Sequence, residues 1–287
     1  MKRIISIFYI AYLSISFVYG QNNTSSDNPS KNIKLMSYNI LHVTSTKKNM
    51  EWSGRKDGII KILKKYNPDI LCAQEDQFLA GEYIIQQTGL TKVGVNYHGT
   101  TEGMGTYRAI YYNAHRFALK NKGHFWLSET PDVRSKGWDA KSVRMCNWAL
   151  FLDNQTNLEF YVFNAHFDHL GRQAALNSAS LVLEKIEEIT HGKPVVFAGD
   201  LNSTPDSPPI LKLKTLLFSA HENSVIVAKG PQGTFGGNTG SIPIKRIDHI
   251  FVRNFKTHEF ITIDDRRDNG VHASDHCPIM ATLIQQE

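Results

Sequence analysis

A carboxylate and an amide follow an apolar run in the segment 194–207, PVVFAGDLNSTPDS. The apolar residues 194–198 predict a buried strand. Asp200 and Asn202 then stand two positions apart, where side chains of an extended chain point the same way. One interpretation is a turn, in which Asn202 and the Ser, Thr and Pro after it only open a loop. The other is that the carboxylate and the amide project together into a chemical site.

Polar side chains of the same kinds stand at the ends of other apolar segments. They are Asn39 after MSY, Glu75 after ILCAQ, His166 and Asp168 in NAHFD, Asp248 in RIDHIFV, and Asp275 and His276 before the last apolar segment. A turn explains any one of these positions, but a series of unrelated turns is a poor explanation for the whole set. The sequence therefore predicts that these strand ends meet and form one polar site.

Carboxylate, amide and imidazole groups make up this set, and it contains no cysteine. Oxygen ligands select a hard cation such as Mg²⁺ or Mn²⁺, which keeps water molecules for a substrate phosphate. Zinc is the competing interpretation, since histidines stand at positions 42, 98, 166, 169, 272 and 276. The HExxH motif of helical zinc sites does not occur in the sequence, so the ligand chemistry favours magnesium or manganese.

The elements that must position these residues are mainly strands. Content of β-branched and aromatic residues predicts strands over 32–40, 68–75, 107–113, 158–167, 194–202, 246–252 and 277–284. Apolar residues at helical spacing predict helices over 54–66 and 171–189. Several strands are apolar on both faces, as in a sheet that is covered on each side. The pattern predicts an α+β fold in which two sheets pack face to face with helices outside them.

The first twenty residues predict a secretory signal peptide. Lys2 and Arg3 precede an apolar stretch of about 14 residues, which is shorter than the roughly 20 residues that span a bilayer. We expect cleavage before Gln21, a disordered polar leader over 21–31 and one domain over 32–287. The expected location is therefore secreted or periplasmic, without a membrane anchor.

Charge and cysteine content limit the possible partners. The net charge of +5 includes Lys2 and Arg3, so the mature chain carries +3, which does not demand a nucleic-acid partner. Three distant cysteines are too few for a disulfide scaffold, although the compartment permits one bridge. We expect a monomer.

The motifs SYNI, QE, NAHFDH, GDLNSTPDS, IDHIF and SDH, in this order, resemble those of the endonuclease/exonuclease/phosphatase superfamily with its DNase I-like fold. The resemblance runs from about residue 33 to residue 283. It implies a four-layer αββα sandwich with the active site at one end of the two sheets. The segments FWLSETP (125–131) and GWDA (137–140) look like the secreted bacterial branch of this superfamily.

The resemblance implies a role for each strand-end side chain. Asn39 and Glu75 hold the metal ion, and Asp275 lies close to it. Asp200 positions or deprotonates the attacking water, and Asn202 helps to orient that water. His276 contacts the scissile phosphate, Asp248 orients His276, and His166 lies near the leaving group. Asp168 belongs to the same catalytic set.

The chain departs from the family pattern in two places. It reads Gly105-Thr106-Tyr107 where many relatives have Gly-Glu-Tyr, so the carboxylate that usually supports the histidine matching His166 is missing. The helix after HFDHLG has two alanines where the branch commonly has an Ala-Arg pair, and Arg172 is the nearby cation. Arg172 is assigned to substrate binding together with Tyr107 and Arg144.

These observations predict a secreted, Mg²⁺-dependent phosphoesterase that hydrolyses a phosphate mono- or diester, either small or borne on a glycan. Trp126, Trp138 and Trp148 stand near the site in sequence and either stack on a sugar or base or pack within loops. The alternative within the enzyme class is an extracellular nuclease acting on DNA or RNA. The alternative from another class is a catalytically silent binding module, which the complete set of metal and base residues disfavours.

Overall fold

Two six-stranded sheets form the centre of the molecule, in a computed structural model that describes residues 31–103, 105–236 and 240–286. The predicted signal peptide (1–20) and residues 21–30 of the predicted leader lie outside this part of the chain. Across the first sheet the strands are β13 (Phe255–Thr262), β14 (Ile279–Gln285), β1 (Ile33–Asn39), β2 (Ile70–Gln74), β6 (Ile110–Tyr112) and β4 (Thr91–Val93).

The second sheet contains the strands that carry most of the predicted site. Across it the strands are β11 (Phe218–Ser219), β12 (Asp248–Arg253), β10 (Val195–Asp200), β9 (Leu158–His166), β8 (Met145–Asp153) and β7 (Phe117–Trp126). A short pair, β3 (Asp76–Gln77) and β5 (Thr106–Tyr107), extends beyond the first sheet.

Alternate side chains of each strand enter different layers. In β1, Leu35 packs into the core between the sheets, whereas Met36 packs into the core under one pair of helices. In β10, Val196 joins the central core and Phe197 packs under the other pair. This alternation explains why the strands are apolar on both faces.

Four helices cover the two outer faces. Helices α1 (Trp52–Tyr66) and α2 (Phe78–Thr88) place Ile59 and Ile84 in the core beside the first sheet. Helices α3 (Arg172–Thr190) and α4 (Pro208–Leu213) contribute apolar side chains to the core beside the second sheet. The predicted four-layer αββα sandwich is confirmed. No helix among the described residues has both the length and the apolar content needed to cross a membrane.

Two buried amides join the sheets below the site. Gln74 Nε2 donates to Asn164 Oδ1 at 2.8 Å, and Asn164 Nδ2 donates to the carbonyls of Ala73 and Ala109 at 2.9 and 2.8 Å. These bonds fix the ends of β2 and β9 relative to each other, because each amide in the buried centre needs its partners.

All seven predicted strand segments contain strands, and both predicted helices are present. The three cysteines are buried and free, so the one permitted bridge is not formed.

Candidate active site

Strand register brings the predicted polar residues into one row. Asp200, the last residue of β10, pairs with His166 on the parallel strand β9 and with Asp248 on the antiparallel strand β12. In the first sheet, β1 and β2 are parallel and place Asn39 beside Gln74, so Glu75 follows directly at the same edge. His276 lies three residues before β14. The carboxyl ends of β1, β2, β9 and β10 therefore supply the site together with the amino ends of β12 and β14.

A cavity of about 840 Å³ opens at this end of the two sheets. Its lining combines three acidic residues with a larger number of basic ones. The acids are Glu75, Asp200 and Asp275, and the cations include Lys47, Arg108, Arg134, Arg144 and Lys245, with four histidines. Such a surface attracts an anion that carries more than one negative charge.

Asp200 lies at the centre of the polar row. Its Oδ2 atom accepts from Asn39 Nδ2 at 3.0 Å and lies 3.3 Å from His166 Nε2 and 3.6 Å from His276 Nε2. Its Oδ1 atom accepts from the Asn202 backbone N–H at 3.0 Å. Burial raises the pKa of Asp200 to about 7, against the opposing effect of His276. A carboxylate with this proton affinity suits a general base at neutral pH.

His276 is oriented by Asp248. Its Nδ1 atom donates to Asp248 Oδ2 at 2.8 Å, and Thr234 Oγ1 donates to the same oxygen at 2.5 Å. Burial alone lowers the pKa of His276, but the carboxylates of Asp248 and Asp200 outweigh burial and raise it to about 10. His276 is therefore a cation at neutral pH and presents a charged donor to a phosphate oxygen.

His166 differs from His276 in its charge. Burial lowers its pKa well below the usual value, and the charges of Arg144 and Arg108 lower it further. Its Nδ1 atom is buried and has no hydrogen-bond partner among the described residues. Thr106, which replaces the carboxylate of the family pattern, does not supply one. His166 is therefore neutral until an anion enters the cavity and offsets the arginine charges.

The predicted metal ligands lie next to Asp200, whose Oδ2 atom accepts from Asn39. Asn39 Nδ2 donates to Glu75 Oε1 at 3.1 Å, and Ser274 Oγ donates to the Asn39 carbonyl at 2.6 Å, which brings Asp275 beside them. The backbone of Glu75 has φ of 56°, a left-handed conformation that non-glycine residues rarely adopt. Strain of this kind is common at functional sites.

Each carboxylate among the predicted metal ligands, Glu75 and Asp275, pairs with a basic side chain. His42 Nδ1 pairs with Glu75 Oε2, and Lys47 Nζ pairs with Asp275 Oδ2. The pKa of Glu75, which burial would raise, is held well below its usual value by its hydrogen bond to His42. Two carboxylates and an amide are a donor set that fits a hard divalent cation. When bound there, such a cation neutralises phosphate oxygens as a Lewis acid.

Asp168 positions the loop rather than facing the cavity. Its carboxylate accepts backbone N–H groups of Lys141, Ser142, Leu170 and Gly171, and it accepts from Arg144 Nε at 3.2 Å. These bonds lower its pKa against the effect of burial. Asp168 thereby holds Arg144, which does line the cavity.

Asn202 lines the cavity, and its side-chain amide donates a hydrogen bond within the protein. Its Nδ2 atom donates to the Phe167 carbonyl at 3.0 Å, and its backbone has φ of 47°. The bond from the Asn202 backbone N–H to Asp200 Oδ1 closes a turn, and both residues line the cavity.

Two residues predicted to bind substrate lie elsewhere. Tyr107 is 1% exposed, and its hydroxyl donates to the carbonyls of Thr101 and Gly103, so it supports the loop that precedes β5. Arg172 is exposed at the first residue of α3 and lines a neighbouring groove with His169 and Lys245. Arg172 is not among the residues that line the main cavity.

Two of the histidines considered for zinc have different partners. His272 and His276 are four residues apart, but His272 Nε2 lies 2.6 Å from Asp264 Oδ1 while His276 faces Asp248. Trp126 and Trp148 pack within the fold. Trp126 is 8% exposed and contacts His124, and Trp148 packs against Tyr161 and Phe163.

Several cavity residues were not predicted from the sequence. They are Lys47, Tyr97, Arg108 and Lys245. Most stand in loops where charged residues are common and carry no signal. Arg108 is the exception, because a cation inside the apolar segment YRAIYY is a pattern that could have revealed it.

Solved structures share this architecture over nearly their whole length. An endonuclease/exonuclease/phosphatase family protein from Bacteroides thetaiotaomicron is 30% identical, with a TM-score of 0.83 over 89% of this chain and 98% of that chain. A mannosyl-6-phosphatase from the same species is 31% identical, with a TM-score of 0.82 over 88% of this chain and 99% of that chain.

A curated relative from Saccharomyces cerevisiae, a probable RNA exonuclease, is 26% identical over 211 residues. The match covers 64% of this chain and 40% of the yeast protein. The family model for the Endonuclease/Exonuclease/phosphatase family matches residues 36–276, a range that contains all the strand-end side chains described above. This match extends over most of the chain, which therefore belongs to the Endonuclease/Exonuclease/phosphatase family.

Proposed function

We propose that the protein is a divalent-metal-dependent hydrolase of a phosphate ester that is either small or borne on a glycan. The observation that carries this proposal is the position of Asp200, whose Oδ2 atom lies between His166 and His276 in the cavity that Glu75 and Asp275 also line. A base, a cationic donor and a site for a hard cation are the groups that phosphoester hydrolysis needs.

The chemistry assigns a task to each side chain. Asp200 accepts a proton from water as the water oxygen forms a bond to phosphorus. His276, held by Asp248, donates to a phosphate oxygen on which charge develops. The bond between phosphorus and the leaving oxygen breaks, and the alcohol takes up a proton that His166 can deliver once the bound phosphate has raised its proton affinity.

The substrate class is inferred from the cavity and from one relative. A volume of about 840 Å³ accommodates a sugar phosphate or the end of a glycan. The mannosyl-6-phosphatase from Bacteroides thetaiotaomicron shares 31% of its residues with the chain and nearly its whole length. A sugar phosphate such as mannose 6-phosphate is therefore the first substrate to test.

Magnesium is the proposed ion, with manganese as the alternative. Asn39, Glu75 and Asp275 would hold it, because carboxylate and amide oxygens match its preference and no cysteine is near them in the cavity lining. Zinc would require a set of nitrogen or sulfur ligands that these residues do not provide.

We further propose that the chain is exported by the signal peptide over 1–20, belongs to the secreted bacterial branch of its family and acts as a monomer. The support for export is the basic and apolar order of the first twenty residues. Expression of the full chain with fractionation and N-terminal sequencing tests this, and a mature protein that begins at Gln21 outside the cytoplasm is the expected result.

A panel of substrates separates this proposal from the two alternatives. Mannose 6-phosphate, p-nitrophenyl phosphate, bis-p-nitrophenyl phosphate, single-stranded RNA and plasmid DNA are incubated with the protein in Mg²⁺ or EDTA. We expect Mg²⁺-dependent release of phosphate from the sugar ester. Cleavage of RNA or DNA without phosphate release would support the nuclease, and inactivity on every substrate would support the binding module.

A further inference from the structure

Arg108 is a buried cation that lacks a carboxylate partner. Its side chain lines the cavity although the residue is only 4% exposed. Among the described residues its guanidinium donates to the Thr106 carbonyl at 3.1 Å, and its Nε atom has no hydrogen-bond partner. Glu75 and Asp200 act on its charge from a distance, without forming an ion pair with it. A buried charge without a partner costs free energy, so such an arrangement usually serves a ligand.

The backbone around Arg108 is held firmly. Asn147 Nδ2 donates to the carbonyls of Arg108 and Val95 at 3.0 and 2.9 Å, and the Val95 N–H donates back to Asn147 Oδ1. Asn147 is itself 1% exposed. Binding groups that are fixed in advance lose little entropy when a ligand arrives.

The cavity lining contains three arginines, and Arg108 is the one that is buried without an ion-pair partner among the described residues. Arg144 is paired with Asp168, and Arg134 is exposed and donates to the Tyr97 carbonyl. Burial and the nearby charge of Arg144 lower the pKa of Arg108 to about 9, which still leaves it a cation at neutral pH. An anion with an additional negative charge would relieve this repulsion.

A phosphate monoester offers that additional charge. Its second ionisation has a pKa near 6, so at pH 7 it carries close to two negative charges on three terminal oxygens. A diester carries one negative charge on two terminal oxygens, because its third oxygen bears a second substituent. Planar guanidinium groups are well matched to terminal phosphate oxygens.

We propose, on the basis of the phosphoesterase function proposed above, that Arg108 binds the third terminal oxygen of a phosphate monoester and makes the enzyme a phosphomonoesterase. Water adds to phosphorus, the bond to the ester oxygen breaks, and the products are the protonated alcohol and inorganic phosphate. Arg108 stays charged throughout and acts by binding the terminal oxygen.

The test compares Arg108→Met with Arg108→Lys and with the matched control Arg134→Met at the exposed edge of the same cavity. For each protein kcat/KM is measured on p-nitrophenyl phosphate and on bis-p-nitrophenyl phosphate with Mg²⁺. Arg108→Met should lose about 10- to 100-fold on the monoester, the size of one charged hydrogen bond, and less than about 3-fold on the diester. Arg108→Lys should lie between it and the wild type, and Arg134→Met should change both rates equally.

A second measurement does not depend on turnover. The melting temperature of each protein is recorded with and without inorganic phosphate, and with dimethyl phosphate as a singly charged diester. Without phosphate, Arg108→Met should melt at or above the wild-type temperature, because it removes an uncompensated buried charge. Phosphate should raise the melting temperature of the wild type by more than that of this variant.

The outcomes separate the two proposals. Equal losses on monoester and diester in Arg108→Met, or an unchanged response to phosphate, would overturn the monoester proposal even if the enzyme is active. If the wild type hydrolyses neither ester, the proposed function fails, and the phosphate response still decides whether Arg108 binds the doubly charged anion.

Discussion

Asp200 lies between two histidines that carry different charges at neutral pH. His276 is a cation because Asp248 and Asp200 outweigh the effect of burial, whereas His166 is neutral because burial and two arginines oppose its protonation. Asp200, the base, therefore lies between two donors. His276 is a cation in the free protein, whereas His166 becomes one only when an anion binds. This difference arises from the neighbours of each ring, since both histidines are buried.

His166→Ala should affect esters according to their leaving groups. Mannose 6-phosphate releases an alkoxide that needs a proton, so we expect a loss of about 10²-fold in kcat/KM. p-Nitrophenyl phosphate releases a stable anion and should lose only a few-fold. The measurement is kcat/KM on both esters for the wild type, His166→Ala and the control His169→Ala, which removes a cavity histidine that accepts from Arg144. Equal losses on both esters in His166→Ala would make it a phosphate contact only.

Sequence reasoning located most of the strand-end side chains but could not assign their contacts. Asp200 and Glu75 were predictable because polar residues rarely end a buried strand without a reason. Tyr107 and Arg172 were predicted to bind substrate because they neighbour family motifs, but side-chain direction depends on the local backbone. Arg108 was missed because charge balance around a buried cation is a property of the folded molecule.

At the scale of elements, Arg55 on α1 fixes the loop that follows β1. Its guanidinium donates to the carbonyls of Met50, Ile40 and Leu41 at 2.9, 2.5 and 2.5 Å, and to that of His42 at 3.0 Å. Arg55 is 0% exposed. The loop carries His42 and Lys47, which pair with the predicted metal ligands, so α1 positions the site without contacting it.

Arg55→Lys should loosen this loop. A lysine cannot serve all these carbonyls, and we expect a loss of about 2–4 kcal/mol in the free energy of unfolding together with a higher Mg²⁺ requirement. Urea unfolding and the Mg²⁺ dependence of the rate measure the two effects. The control is Arg267→Lys, since Arg267 also donates to carbonyls, those of Gly54, Asn49 and His272, but is more exposed. A Mg²⁺ requirement that changes equally in both variants would argue against the positioning role.

Elements with strong periodicity were predictable and those with mixed composition were not. The seven predicted strands carry apolar residues on both faces because they lie between layers. Strand β7 was missed because Lys, Asn and Gly interrupt it at the edge of its sheet. Edge strand β13 was missed because polar residues run from Lys256 to Glu259 and a bulge there breaks its alternation. Helix α2 was missed because Gly81 lowers its helical signal, although Ala80 and Ile84 pack in the core.

At the scale of the whole molecule, buried histidines link stability to pH. Burial lowers the pKa of His249 to about 4, and its Nε2 atom donates to the Ser203 carbonyl at 2.8 Å. The folded state therefore favours the neutral ring, while the unfolded chain binds a proton near pH 6.5. The contribution of His249 to stability is complete above pH 6.5 and declines as the pH falls towards 4.

His249→Gln should flatten this pH dependence. The shift in pKa corresponds to about 3 kcal/mol, so the free energy of unfolding should fall between pH 7.5 and pH 4.5 by up to about 3 kcal/mol less in the variant than in the wild type. Urea unfolding at the two pH values gives the difference, and groups common to both proteins cancel. Parallel stability curves would contradict the assignment of a neutral buried His249.

The base, the cationic donor and the carboxylates of the site come from different strands and converge at one end of the two sheets. The most direct test measures phosphate release from mannose 6-phosphate by the wild type and by Asp200→Asn, each with Mg²⁺ and with EDTA. The wild type should be active only with Mg²⁺. Asp200→Asn should keep the wild-type melting temperature and lose about 10² to 10⁴ in rate, because it retains the shape of the side chain and removes the base. Full activity in EDTA, or an Asp200→Asn variant that retains its rate, would contradict metal-dependent hydrolysis with Asp200 as the base.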